Sequence, residues 1–250
     1  MSGPARIAFE HLGGSEPRTA AALLDSLPRD PAGPDAPHVR LNMVSTIDGR
    51  AALDGGTRQL GGPGDLEMLL ELRVSADAVL IGSGTLRAEG YGRLVRSEER
   101  RRRRVEAGLA ADPPAVIVSR ALDLPWEAGL FAAPEQPILV YTTSAAEPPP
   151  TAARVEVVPL TRLDPPALLA DLRRRGIGVL LCEGGPTLNA WLLAAGAVDE
   201  LFLTLAPLLT GQEHEPGIVA GPGLTPPVDA ELRWVLRHGD ALFLRYRLWP

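Results

Sequence analysis

The chain has 250 residues, 45% of them hydrophobic, and a formal charge of −6, a balance that argues against a general nucleic-acid binder. Lysine is absent, which excludes a phosphate-loop lysine, a pyridoxal Schiff base and a lysine nucleophile and leaves arginine, with its planar fork, for phosphate recognition. The single cysteine, Cys182, excludes an intramolecular disulfide framework and a multi-cysteine zinc site; with no apolar run long enough to cross a bilayer and no basic-then-apolar leader, the expectation is a cytoplasmic enzyme or binding protein.

Residues 1–36 are rich in Pro, Gly and Ala and read as an N-terminal extension on a main domain of residues 37–250. A short helix is expected over residues 19–27, bounded by Pro17 and Pro28, before Pro31, Pro34 and Pro37 mark an extended linker. The first strand, residues 39–44, feeds the loop Ser45-Thr-Ile-Asp-Gly49, and a glycine-rich loop fills residues 54–64. Asp65 is expected to cap a helix whose Leu66, Leu69, Leu70 and Arg73 repeat at helical spacing. A strand over residues 78–81 ends in Gly82-Ser-Gly-Thr85, where a short helix begins. The run Arg100–Arg104 reads as a solvated helix salt-bridged to Glu98, Glu99 and Glu106, with no interleaved aromatics to suggest a nucleic-acid patch.

Strands are expected over residues 115–119, 138–142 and 155–158, then a helix over 165–175 that Gly176 stops. Residues 177–182 form a buried strand, Glu183-Gly184-Gly185 a tight turn, and Pro186 starts a helix, a position where its missing N–H is harmless. A strand over residues 200–206 precedes a hairpin of residues 232–238 and 241–249 about the turn Gly239-Asp240. Strands alternating with helices predict an α/β fold: a mixed, mainly parallel central sheet with flanking helices and a C-terminal antiparallel hairpin. The sequence G-x-G-x-x-G is absent, and with it the common dinucleotide fingerprint. His11, His38, His214 and His238 make no ligand pair at helical spacing, so no metal is expected.

The candidate chemistry lies at strand ends. Gly184 and Gly185 let the backbone approach a ligand, and the helix start at Pro186 offers an anion seat beside the Glu183 carboxylate. On local sequence alone an ordinary strand–turn–helix corner is the stronger reading of that segment. However, Ser45–Gly49, Gly82–Thr85 and Ser119-Arg120 are loops at equivalent strand ends, and in an open α/β sheet such loops share one cleft.

Three segments, Asn42-Met-Val-Ser-Thr-Ile-Asp-Gly-Arg50, Ala78-Val-Leu-Ile-Gly-Ser-Gly-Thr85 and Cys182-Glu-Gly-Gly-Pro-Thr-Leu-Asn189, together resemble the reductase domain of the riboflavin pathway. The resemblance runs from about Val39 to the C-terminus. It implies a dihydrofolate reductase-like fold, a homodimer through the late strands, and NADPH-dependent reduction of the ribosyl group of a phosphorylated aminopyrimidine to a ribityl chain. By the same resemblance Gly184, Gly185, Pro186 and Thr187 seat the cofactor pyrophosphate, and Gly82, Gly84 and Thr85 form a second cofactor loop. Ser119 lies near the adenosine ribose, where Arg120 can pair with a 2′-phosphate. Ser45, Asp48 and Glu183 contact substrate, and Asp48 and Glu183 are the candidate catalytic acids. Without the resemblance Asp48 is a turn residue ahead of Gly49.

Two departures leave the substrate open: Glu89-Gly90-Tyr91-Gly92 stands where bifunctional relatives carry an aspartate pair, and the 54–64 loop lacks a tryptophan. One cysteine cannot supply a deaminase zinc signature, so a stand-alone reductase is expected. A dihydrofolate reductase-like activity and a non-catalytic nucleotide-binding sensor are the alternatives.

Overall fold

The structure, a computed structural model, describes residues 7–12, 16–27 and 33–249. Its first elements are β1 (Glu10–His11), α1 (Ala20–Leu24), β2 (His38–Thr46), α2 (Pro63–Ser75), β3 (Ala78–Gly82), α3 (Ser83–Glu89) and α4 (Glu98–Glu106). There follow β4 (Ala115–Val118), β5 (Pro137–Thr142), β6 (Arg154–Pro159), α5 (Pro165–Arg174), β7 (Val179–Cys182), α6 (Pro186–Leu193), β8 (Glu200–Ala206), β9 (Asp229–His238) and β10 (Ala241–Trp249). Among the described residues the strands form one 10-stranded sheet in the order β1-β9-β10-β8-β2-β7-β3-β4-β5-β6. From β8 to β6 every neighbour is parallel. Strands β10, β9 and β1 continue the sheet antiparallel.

Strands β7, β3 and β4 are apolar throughout because helices cover both faces. Residues alternate between those faces: Val79 and Ile81 of β3 join the core under α2, whereas Ala78 and Leu80 join the core under α5 and α6. All the parallel strands therefore end on one edge, and the loops that follow β2, β3, β4 and β7 meet there.

Several expectations change. Strand β2 runs on through Ser45 and Thr46, both buried, so these residues belong to the sheet and not to a loop. Helix α2 starts at Pro63 with Gly62 as its N-cap, which places Asp65 inside the first turn. Helix α1 is shorter than the expected span, and Thr19 caps it by accepting from the Ala22 N–H. Phe9 is fully buried edge-on to Phe243, and Leu23 and Leu24 share the same core. Pro28 and Pro31 lie outside the described residues.

Helix α4 is solvated on one face, with Glu98, Glu99, Arg102, Val105 and Glu106 exposed, but its other arginines do not pair within the helix as expected. Within it only weak pairs form, Arg101 with Glu98 at 3.8 Å and Arg102 with Glu106 at 3.5 Å. Arg100 and Arg103 instead converge on Glu71 of α2, a carboxylate 3% exposed that needs countercharge in such a position. Arg104 is fully buried and donates to the carbonyls of Arg73, Val74 and Ala76, at the end of α2 where carbonyls lack helical partners. The arginine run thus fixes α2, which carries Arg73 into the site described next.

Candidate functional site

A cavity of about 840 Å³ opens along the carboxyl edge of β2, β7, β3 and β4. Gly82, Gly84 and Thr85 from the β3 turn, Ser119 and Arg120 after β4, and Glu183, Gly185, Pro186 and Thr187 after β7 all line it. The structure thus brings together nine residues that sequence reasoning placed at separate strand ends.

The β3 and β7 turns are joined backbone to backbone. The Gly82 N–H donates to the Gly184 carbonyl at 2.7 Å. A Cβ on Gly82 would stand 3.0 Å from both the Gly184 oxygen and the Gly185 nitrogen, so a side chain there would push the two turns apart. A Cβ on Gly185 would stand 2.8 Å from the Thr85 hydroxyl oxygen. Gly185 caps α6 and Gly82 caps α3, neither with a side-chain acceptor, so the first-turn N–H groups are not sealed by their own caps. This backbone cradle fits the pyrophosphate of a dinucleotide.

Three expected site residues do not line the cavity. Gly184, at φ +76°, turns inward, where a Cβ would stand 2.9 Å from the Met43 sulfur; its part is to shape the turn. Ser45 is buried in β2 and spends its hydroxyl on the Thr46 carbonyl at 2.9 Å. Asp48 points to the loop after β8, accepting from the Gly211 N–H at 2.7 Å and from the Thr210 N–H at 3.2 Å. The Thr46 hydroxyl first, then these N–H groups, hold the Asp48 carboxyl well below the usual carboxylate range. Asp48 and Glu183 are therefore not brought to one point.

Glu183 lies at the end of β7 with its side chain 3% exposed. Arg73 grips it with both edges of its fork, Nε to Oε1 and Nη2 to Oε2, each at 2.7 Å. The Tyr91 hydroxyl donates to Oε2 at 2.8 Å. Burial alone would lower the Arg73 guanidinium, but the Glu183 charge and hydrogen bonds more than offset this and raise it. Burial, with the same negative charge, pushes the Tyr91 hydroxyl well above its ordinary value.

Beyond Glu183 the wall is made of loops pinned by carboxylates. Glu89 accepts from the Thr57 N–H at 2.7 Å, and Glu215 accepts from the Gly55 N–H at 3.1 Å. Arg73, Tyr91, Glu89 and Glu215 were not singled out as site residues. The one signal that touched them was the unusual Glu89-Gly90-Tyr91-Gly92 segment. Among the described residues no group of three or more His, Cys, Asp or Glu side chains could hold a metal ion, and no helix is long and apolar enough to cross a membrane.

The sheet order, with a cleft at the carboxyl edge of the parallel strands, is that of a dihydrofolate reductase-like α/β fold. A pyrimidine reductase-like protein from Corynebacterium diphtheriae has the same fold, with a TM-score of 0.76 at 24% identity over 93% of this chain and 100% of that one. RibD from Acinetobacter baumannii matches with a TM-score of 0.69 at 25% identity over 86% of this chain and 59% of the other. The model of the RibD C-terminal domain matches residues 37–242, and the chain belongs to that family of riboflavin-biosynthesis reductases. A Methanothermobacter thermautotrophicus relative, a 2,5-diamino-6-ribosylamino-4(3H)-pyrimidinone 5′-phosphate reductase, is 31% identical over 84% of this chain and 97% of its own length. The riboflavin biosynthesis protein RibD of Escherichia coli is 28% identical over 78% of this chain and 54% of its own length. Reductases of this type depend on pyridine nucleotides in general.

Proposed function

We propose that the chain reduces the ribosyl group of a 6-ribosylaminopyrimidine 5′-phosphate to a ribityl chain, with NADPH as the reductant. The observation that carries this reading is the single cleft in which the joined Gly82 and Gly184-Gly185 turns lie next to the anchored Glu183 carboxylate. NADPH, when bound, would supply a hydride for C1′ of the ribosyl group, which gains a hydrogen there as the ring C1′–O bond breaks and the freed oxygen takes a proton drawn from solvent. The chain supplies the geometry. First-turn N–H groups of α6 and the Gly82–Thr85 loop would hold the pyrophosphate, and Ser119 and Arg120 would hold the 2′-phosphorylated ribose. Glu183 holds the pyrimidine. Both its oxygens accept from Arg73 and Tyr91, which fix the carboxylate in place.

A homodimer and a cytoplasmic setting belong to the same reading, with no membrane or nucleic-acid partner. In register, Leu201 of β8, Tyr246 of β10 and Leu232 of β9 form a row across the antiparallel edge of the sheet, and Leu232 is 50% exposed. Such an apolar row supports pairing with a second copy, which light scattering would read as twice the chain mass. The reaction is tested by following NADPH oxidation with 2,5-diamino-6-ribosylamino-4(3H)-pyrimidinone 5′-phosphate and with dihydrofolate. Turnover is expected with the first alone. Turnover of dihydrofolate alone, or NADPH binding with no turnover of either, overturns the reading.

A further inference from the structure

We propose that Arg73 and Tyr91 are positioning residues that hold Glu183 as a fixed hydrogen-bond acceptor for the N–H donor edge of the pyrimidine, an inference that rests on the substrate class proposed above. A carboxylate has about four acceptor positions. Arg73 and Tyr91 fill three of them, one on Oε1 and two on Oε2, and Glu183 forms part of the cavity wall. The remaining position, on Oε1, suits a ligand that brings a nitrogen donor. A ligand bringing a carbonyl there would face a carboxylate oxygen and be rejected, so the cluster selects an amino-bearing pyrimidine edge.

The holders are themselves held. Arg73 Nη1 donates to the Leu94 carbonyl at 3.1 Å, so every nitrogen of the fork is engaged. The guanidinium lies over the Tyr91 ring, 5.5 Å from its centroid. The Arg73 carbonyl is bound by the buried Arg104, which ties α2 to α4. Tyr91 follows Gly90, whose left-handed backbone at φ +60° ends α3 and turns the chain toward β7. Helix α3 starts at the cofactor loop and ends beside the substrate carboxylate, so one short helix spans the two halves of the cleft.

The test compares the parent chain with Tyr91→Phe, Arg73→Lys, Glu183→Gln and the Tyr91→Phe/Glu183→Gln double variant. The readouts are KM and kcat for the diaminopyrimidinone phosphate, the Kd for NADPH, and thermal melting. Tyr91→Phe removes one hydrogen bond to a charged acceptor and keeps the ring. It is expected to raise the substrate KM about tenfold with the NADPH Kd unchanged. Arg73→Lys keeps the charge and loses the fork, and is expected to show the same split between KM and Kd. In the Glu183→Gln background the Tyr91→Phe effect is expected to vanish, because no carboxylate is left to hold. Equal losses from Tyr91→Phe in both backgrounds, or a loss that follows melting temperature alone, overturn the positioning role. A working parent whose Tyr91→Phe variant is unaffected overturns it too and leaves the proposed function standing. A parent that turns over none of this substrate overturns the proposed function, and the positioning role with it.

Discussion

The halves of the cleft proposed for cofactor and for substrate are built by different means. On the cofactor side backbone meets backbone: the Gly82 N–H reaches the Gly184 carbonyl at 2.7 Å, and glycine leaves nothing between the β3 and β7 turns. On the substrate side, side chains from remote segments meet. Glu183 is held by Arg73, 110 residues away, and by Tyr91, 92 residues away, while Glu215 reaches the Gly55 N–H across 160 residues. A backbone cradle is indifferent to most neighbouring side chains and intolerant of a Cβ within it. A side-chain brace can be weakened by the loss of one hydroxyl. The two halves are therefore expected to fail separately, and variants on either side can break or sharpen that contrast.

The largest effect is expected from the cradle. In Gly185→Val the new Cβ stands 2.8 Å from the Thr85 hydroxyl oxygen, and two further methyl groups enter the opening of α6. Titration of the folded variant with NADPH should show no saturable binding, while the melting temperature stays near that of the parent. Normal affinity in the folded variant would place the cofactor elsewhere and remove the contrast altogether.

A smaller effect, confined to one cofactor, is expected at the far end of the same half. Arg120 lies exposed on the cavity rim beside Ser119. Its neighbour Arg87 is engaged by Asp123, donating from Nη2 to the carboxylate and to the carbonyl, each at 2.8 Å. Arg120 is thus the better placed cation for a 2′-phosphate. Arg120→Ala should weaken NADPH binding about tenfold, the order of a charge-assisted hydrogen bond, and leave NADH nearly unchanged. Equal losses for both nucleotides would take Arg120 out of this role.

The same contrast explains what could be read from the sequence. Contiguous signals were legible. The strand Glu200–Ala206 stands where expected, and the hairpin turns about Gly239-Asp240 as its turn chemistry predicts. The glycine turns after β3 and β7 line one cavity, as loops at equivalent strand ends should. Pairings between distant residues were not legible. Arg73 reads as one more residue at helical spacing, and its partner could have been any carboxylate in the chain. The arginine run misled for the same reason: local acids offered i,i+4 pairs, whereas the buried Glu71 and the last carbonyls of α2 offered stronger ones from another element. Tyr91 came closest to notice, as part of a departure from the family pattern, but a departure alone does not name the group it touches.

Asp48 gives the smallest expected effect and the finest test of the contrast, because it belongs to neither half. Its carboxylate pins the loop at Thr210 and Gly211, and the same loop goes on to carry Glu215 and Pro216 into the cavity wall. Any effect of Asp48 on the reaction in this geometry passes through that loop. An acid that donated the proton would be worth roughly 100- to 10,000-fold in rate. A loop clamp that keeps one acceptor as the amide of Asp48→Asn should lose only about threefold, with NADPH affinity unchanged, well short of the acid–base range. The pH dependence separates the two further. A carboxyl held below its ordinary range favours the pinned loop at every pH above that range, and this contribution is lost only as the pH falls through the depressed value. Between about pH 5 and 8, then, the rate profiles of parent and Asp48→Asn should run parallel, since Asp48 is ionised throughout. A profile that loses a limb in that interval on Asp48→Asn, together with a rate loss beyond about 100-fold, would make Asp48 the proton donor and place the reaction beside the loop after β8.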